Sequence, residues 1–189
     1  MKYDKSYLRK KFLLKRKKNS SLVGKFNFDL LFGIIKKHFL KKKVVIAGYY
    51  PSNYEVDIMK FLEKALNKNF TVALPVIKSS TEMCFKPWVY KEPLYINSFG
   101  IPEPHNLKKE IIPDIILVPL VAFDGLLNRI GYGKGYYVRS LTKIRKKNKN
   151  MISLGIAYSF QKSKKIPINK FDFKLDYIFT EQETINSNK

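Results

Sequence analysis

Residues 115–121 of this chain, Ile-Ile-Leu-Val-Pro-Leu-Val, form an unbroken apolar run of strand length. A strand that is apolar on both faces has to be covered on both, as in a mainly parallel sheet between layers. The segments around it fit that demand. Strands are predicted over 44–49, 70–74, 83–89, 151–158 and 177–180, closed or bent by Pro51, Pro75 and Pro87. Helices are predicted over 3–18, 26–40, 55–67 and 136–147, with Lys41 to Lys43 ending the second at its dipole-favoured end. Residues 97–105, with Gly100, Pro102 and Pro104, read as loop, and the polar tail from Glu181 as frayed. Alternating strands and helices predict an α/β fold with a mainly parallel sheet. At 189 residues and 45% apolar, the chain suits one domain over 1–189, with 1–18 as a basic helical arm. No run of about 18 uncharged apolar residues exists, so no transmembrane helix is expected, and no secretory signal is seen at the basic N-terminus.

The charge balance admits two readings. Thirty-seven Lys+Arg against 15 Asp+Glu give a formal net of +22, a field that attracts nucleic acid, anionic membranes or acidic small molecules. Only five of the 37 are Arg (Arg9, Arg16, Arg129, Arg139 and Arg145), few for a reader of phosphates or bases. The chain is also rich in Ile, Asn, Phe and Tyr and poor in Ala, as an A/T-rich genome dictates, with Lys decorating solvated faces. The single cysteine, Cys84, excludes an internal disulfide framework, fits a reducing cytoplasm and reads as a small core residue.

The segment that carries chemistry follows the apolar run. Gly131, Gly133 and Gly135 alternate within Arg129-Ile130-Gly131-Tyr132-Gly133-Lys134-Gly135-Tyr136-Tyr137, just before the predicted helix. Alternating glycines let backbone N–H groups converge, and a helix N-terminus adds its dipole, so an anion site is expected. Arg129 and Lys134 add charge that suits phosphate oxygens. The loop falls at the carboxyl end of a strand, where ligands of open α/β sheets sit. Neither common phosphate motif fits. Walker A needs Ser or Thr after Gly-Lys, whereas Lys134 precedes Gly135, and the dinucleotide fingerprint needs Gly where Tyr136 stands.

These residues, with Phe123-Asp124 and Arg139, resemble the signature of the 5-formyltetrahydrofolate cyclo-ligase family. The resemblance extends along nearly the whole chain. It takes in Lys5 to Arg9, Tyr50-Pro51 with Glu55 to Asp57, Leu74-Pro75, Gly100 to Pro104, Ile166-Pro167, Asp172 and Asp176.

The resemblance implies a Rossmann-like three-layer α/β sandwich with a mainly parallel sheet, CoA-transferase-like in class. It also implies ATP- and Mg²⁺-dependent cyclisation of 5-formyltetrahydrofolate to 5,10-methenyltetrahydrofolate. The formyl oxygen is phosphorylated, nitrogen 10 attacks the activated carbon, and phosphate leaves. Residue by residue, it makes Lys5 and Arg9 ATP-phosphate contacts and Arg129 to Tyr137 the main ATP loop. Arg129 and Lys134 act on the transferred phosphoryl, and the loop from Tyr132 to Tyr136 also touches folate. Tyr50, Glu55 and Phe99 become folate contacts and Asp172 a Mg²⁺ ligand. Without it, Lys5 and Arg9 read as a solvated face and Glu55 as a helix-start carboxylate. Two positions depart from the family pattern. Val138 stands where an Mg²⁺-binding Asp is expected, leaving Asp172, with Asp124 as a substitute. Leu127 stands where Gly is usual, so the turn is expected to form differently, using Gly125. The expected partner is a small-molecule folate, polyglutamylated or not, and the expected state a cytoplasmic monomer without nucleic acid or membrane. Two alternatives are a weakened family member that binds folate or nucleotide and a basic nucleic-acid binder. Trp88, His38 and His105 are read as packing, structural or exposed.

Overall fold

The computed structural model describes residues 4–39, 43–105 and 107–187. The predicted helix start at Tyr3, the helix end at Leu40 to Lys42 and the last two residues of the tail lie outside these. In chain order the elements are α1 (Lys5–Asn19), α2 (Asp29–His38), β1 (Val45–Ala47), α3 (Met59–Asn67), β2 (Thr71–Ile77) and β3 (Met83–Pro87). There follow β4 (Tyr95–Ile96), β5 (Pro102–Glu103), β6 (Ile115–Pro119), β7 (Ala122–Phe123), β8 (Arg129–Ile130), α4 (Tyr136–Lys147), β9 (Ile152–Ile156), β10 (Tyr177–Phe179) and β11 (Thr184–Asn186).

Seven strands form one sheet in the order β11-β10-β9-β6-β1-β2-β3. The five inner strands are parallel, and β3 and β11 close the two edges antiparallel. Along β6, Ile115 and Leu117 enter one core with α2 and α3, while Ile116 and Val118 enter the other with α4. This period of two, buried on both faces, is what the apolar run required, and it makes a three-layer α/β sandwich. Strands β2 and β6 flank β1 on opposite sides, so the winding reverses there, and a crevice opens beyond the carboxyl ends of β1 and β6.

At the opposite end of the sheet, buried Asp114 accepts from Val45 N at 3.0 Å and Asn148 Nδ2 at 3.2 Å. It ties the start of β1 to the end of α4. A third, smaller core joins Leu8 and Phe12 of α1 to Val121, Ala122, Ile130 and Ile166, seating the basic helix over the β7–β8 hairpin.

Several sequence expectations are corrected. Pro75 does not stop β2. Ala73 faces β1, accepting from Gly48 N at 2.9 Å, so Pro75, two residues on, faces the same side, where β1 has already ended and no donor is needed. Residues 97–105 are not all loop, because Pro102 and Glu103 pair with β4. The tail is not frayed throughout, since β11 pairs with β10. The third helix starts at Met59 rather than residue 55, because Asn53 and Tyr54 take left-handed backbone (φ 46° and 61°) and fold residues 52–55 into a turn. Leu127 itself takes left-handed backbone (φ 67°), with its side chain buried, so the turn forms there and Gly125 is not needed for it.

Candidate active site

A cavity of about 800 Å³ opens at the carboxyl ends of β1, β2 and β6. Its lining gathers the cations Lys5, Arg9, Arg129 and Lys134, the carboxylates Glu55 and Asp172, and the aromatics Tyr49, Tyr50, Phe99, Tyr132, Tyr136 and Tyr137. Every residue expected from the sequence as an ATP or folate contact therefore borders one space.

Helix α1 starts where Asp4 accepts from Tyr7 N at 2.7 Å, and its first turns aim cations at the site. Lys5 ion-pairs with Asp172, and Arg9 Nε donates to Gly131 O at 2.8 Å. Neither lies on a purely solvated face. Arg129 leaves the β7–β8 hairpin, is buried, and donates from Nη1 to Phe173 O at 2.7 Å. Burial pulls its pKa down to about 10, with Asp172 and Tyr137 opposing, so it stays cationic at neutral pH. Ile130 contributes backbone, because its side chain belongs to the core under α1 and its carbonyl accepts from Val121 N at 2.7 Å.

The glycine loop is shaped by its neighbours. Gly133 and Gly135 have φ of 98° and 76°, and Gly135 caps α4. A Cβ on Gly133 would sit 3.3 Å from the Arg9 guanidinium carbon, and one on Gly135 2.4 Å from Arg139 Nη1. Arg139 in turn holds the loop, donating to Lys134 O at 2.9 Å and to Thr81 O at 2.6 Å. The positive φ of both positions is what calls for glycine, since the guanidinium ends of Arg9 and Arg139 can shift to make room. Lys134 Nζ lies 5.9 Å from the centre of the Phe99 ring, which meets Tyr136 edge-on at 6.0 Å.

Glu55 sits on the turn after β1. Its Oε2 accepts from Ser52 N at 2.9 Å and Ser52 Oγ at 3.3 Å, and its Oε1 accepts from the Tyr132 hydroxyl at 2.9 Å. Burial raises its pKa, and the hydrogen bonds with Ser52 and Tyr132 and the Arg16 charge oppose that rise. Burial also raises the Tyr132 and Tyr137 phenols, with Glu55 adding to both shifts.

Asp124 does not serve as a substitute metal ligand. Its Oδ1 accepts from Leu126 N and Asn128 N, and its Oδ2 from Asn128 Nδ2 and Ile166 N, all at 3.0 Å, and it is buried away from the cavity. Among the described residues no group of three or more His, Cys, Asp or Glu could hold a metal. Asp172 also accepts from Asn169 N at 2.7 Å, and Val138 lines the same cavity without a donor. His38 and His105 lie elsewhere, on Tyr177 and beside Tyr95.

Sequence reasoning missed Arg16, which is 1% exposed and reaches Tyr132. Its place four residues after Phe12 and eight after Leu8 was the available signal. Both faces of the seven-stranded sheet are covered, so among the described residues that sheet offers bases no stacking platform. Among the described residues no helix is long and apolar enough to cross a membrane.

The sequence model of the 5-formyltetrahydrofolate cyclo-ligase family matches residues 1–181. A protein named 5-formyltetrahydrofolate cyclo-ligase from Mycoplasma pneumoniae is 34% identical over 185 residues, covering 95% of this chain and 99% of that one. One from Haemophilus influenzae is 33% identical over 136 residues, 69% of this chain and 72% of that one. The solved structure of Aquifex aeolicus 5,10-methenyltetrahydrofolate synthetase superposes with a TM-score of 0.75 at 30% identity, covering 98% of this chain and 93% of that one.

Proposed function

The chain belongs to the 5-formyltetrahydrofolate cyclo-ligase family, and on that premise we propose that it closes 5-formyltetrahydrofolate to 5,10-methenyltetrahydrofolate at the expense of ATP. The observation that carries this reading is the convergence of Lys5, Arg9, Arg129 and Lys134 on one cavity beside an aromatic wall. Bound ATP supplies a phosphoryl group that turns the formyl oxygen into a leaving group. The chain's part is positioning and charge. Lys5 and Arg9 hold the phosphates from α1. The glycine loop from Arg129 to Tyr137 offers its amides, and Lys134 and Arg129 meet the charge that builds on the transferred phosphoryl and leaves with phosphate. Tyr50, Phe99 and Tyr132 pack the folate, and Glu55 accepts from the amino edge of its pterin. Asp172 would hold the Mg²⁺ that accompanies the nucleotide, which would offset phosphate charge. One carboxylate is within what such a cation needs when phosphates and water complete its shell. The reading places a single-domain monomer in the cytoplasm, acting on a small-molecule folate with or without an oligoglutamate tail, without nucleic acid or membrane.

Val138 favours a second reading, a family member that binds well and turns over poorly. The test mixes purified protein with 5-formyltetrahydrofolate and MgATP and follows the near-ultraviolet methenyl chromophore, with Val138→Asp alongside. Chromophore from the wild type, only with ATP and Mg²⁺, supports the ligase. Chromophore from the variant alone supports the second reading. Neither protein turning over, both folded and neither binding 5-formyltetrahydrofolate or ATP, sinks both.

A further inference from the structure

We propose that Arg16 is a positioning residue: through the Tyr132 hydroxyl it sets the carboxylate of Glu55, and so couples the folate end of the cavity to the glycine loop. The proposal rests on the reading of Glu55 as a folate contact.

Arg16 follows Leu8 and Phe12 on the buried stripe of α1, where an apolar side chain would fill the space. Among the described residues no carboxylate ion-pairs with it, and its buried Nε has no partner there. A buried guanidinium held on these terms is costly, and its use lies in what it points at. Nη1 donates to Leu120 O at 3.1 Å, and Nη2 donates to the Tyr132 hydroxyl, with the guanidinium 5.5 Å from the ring centre.

Direction follows from chemistry. Arginine only donates, so the Tyr132 oxygen must accept from it, and its own proton is left for Glu55 Oε1 at 2.9 Å. The far carboxylate oxygen is held by Ser52. These donors hold the carboxyl in one orientation and favour its anionic form against the burial that raises its pKa. Tyr132 also stands between Gly131 and Gly133, and Arg9, two turns before Arg16 on α1, grips Gly131 O. One helix thus holds adjacent residues of the loop, and a shift of the loop moves the donor on Glu55. The titratable groups facing Glu55 are Arg16 from α1, Tyr132 from the loop, Tyr137 from α4 and Tyr49 from the segment after β1.

The test is steady-state cyclisation by wild type, Arg16→Met, Arg16→Lys, Tyr132→Phe and the double variant Arg16→Met/Tyr132→Phe, across pH. Expected for Arg16→Met are a rise of about tenfold in KM for the folate, a rise of no more than about twofold for ATP, and an acid limb moved to higher pH. Tyr132→Phe should move the same limb, Arg16→Lys should recover part of the loss, and the double variant should be no worse than the poorer single. Equal rises in both KM values without movement of the limb, or additive losses, would overturn the proposal. If Arg16→Met does not fold, Arg16→Gln, which keeps a donor but not the charge, decides by the same two readouts. A wild type that neither binds nor cyclises the folate overturns the substrate reading and this proposal together. An active wild type with uncoupled variants overturns this proposal alone.

Discussion

Two turns in this molecule use the same local chemistry to opposite ends. At residues 124–128, Asp124 gathers backbone donors from Leu126 and Asn128, and Leu127 takes left-handed backbone. At residues 52–55, Glu55 gathers Ser52 N, and Asn53 and Tyr54 take left-handed backbone. The first carboxylate is sealed: Asp124 is buried with Leu127 although Leu126 stays exposed, and both its oxygens are shared among donors from the turn and from Ile166. The second stays open. Glu55 borders the cavity, and among the described residues one of its oxygens is held by the Tyr132 hydroxyl alone. A carboxylate that collects amides is structural when it is itself buried with all its lone pairs taken and available for a ligand when it borders an open cavity. The motif alone does not distinguish them.

The largest effect expected from breaking this comparison is at the sealed turn. Asp124→Ala leaves four donors without an acceptor and should lower unfolding free energy by about 3–4 kcal/mol in chemical denaturation. That loss should be the same with and without Mg²⁺. Protection by the metal in the wild type alone would restore Asp124 as a ligand.

Glu55→Gln keeps the shape of the open turn and should leave stability within about 1 kcal/mol, while kcat/KM for cyclisation falls by about 100-fold, or roughly 2.7 kcal/mol. A loss of stability larger than the loss of activity would put the two turns in one class.

Glu55 also gives the comparison a pH axis. Burial raises its folded-state pKa above the ordinary glutamate value, so the folded protein holds this proton more tightly than the unfolded chain. Its contribution to stability is present below the ordinary value and is lost as pH rises through the raised one. The stability of the wild type relative to Glu55→Gln should therefore fall across that window, and cyclisation should gain over the same interval as the carboxylate forms. Paired thermal melts across pH check the sign, and a flat difference would break the assignment.

The smallest pair of effects isolates backbone strain. Leu127→Gly relieves a left-handed leucine, worth about 1 kcal/mol, but forfeits a buried side chain, for a net loss of about 1–3 kcal/mol. Tyr54→Gly relieves similar strain at an exposed position and should change stability by no more than about 0.5–1 kcal/mol, in the stabilising direction. Denaturant midpoints of the two variants check the opposite signs.

These turns also mark where the sequence was legible. The run at 115–121 announced a strand covered on both faces, and α4 begins and ends where its spacing and the glycines before it indicated. Glu55 was read into a helix because nothing about Tyr54 signals left-handed backbone, and the chain around it keeps helical spacing. Pro75 reads as a strand stop until it is known which neighbour its missing N–H faces, and that depends on where β1 ends. Arg16 was invisible as a buried group because a charged residue on a basic helix reads as solvated. The cavity-lining residues were found in one glycine-rich segment and by resemblance. What the sequence could not exclude was Asp124 as a substitute ligand, because its burial and its four donors show only in the folded chain.

The ion pair between Lys5 and Asp172 joins residues 167 apart in the chain. At roughly 5–20 residues per second, a ribosome needs on the order of 10–30 s to make what lies between them. For most of that interval the N-terminal segment lacks the hairpin that covers Leu8 and Phe12, and throughout it lacks the carboxylate that meets its first cation. The nascent chain therefore presents a basic, partly apolar segment to its surroundings long before any catalytic assembly exists. A protein truncated before residue 172 would keep five of the seven strands of the central sheet while lacking a corner of its cleft.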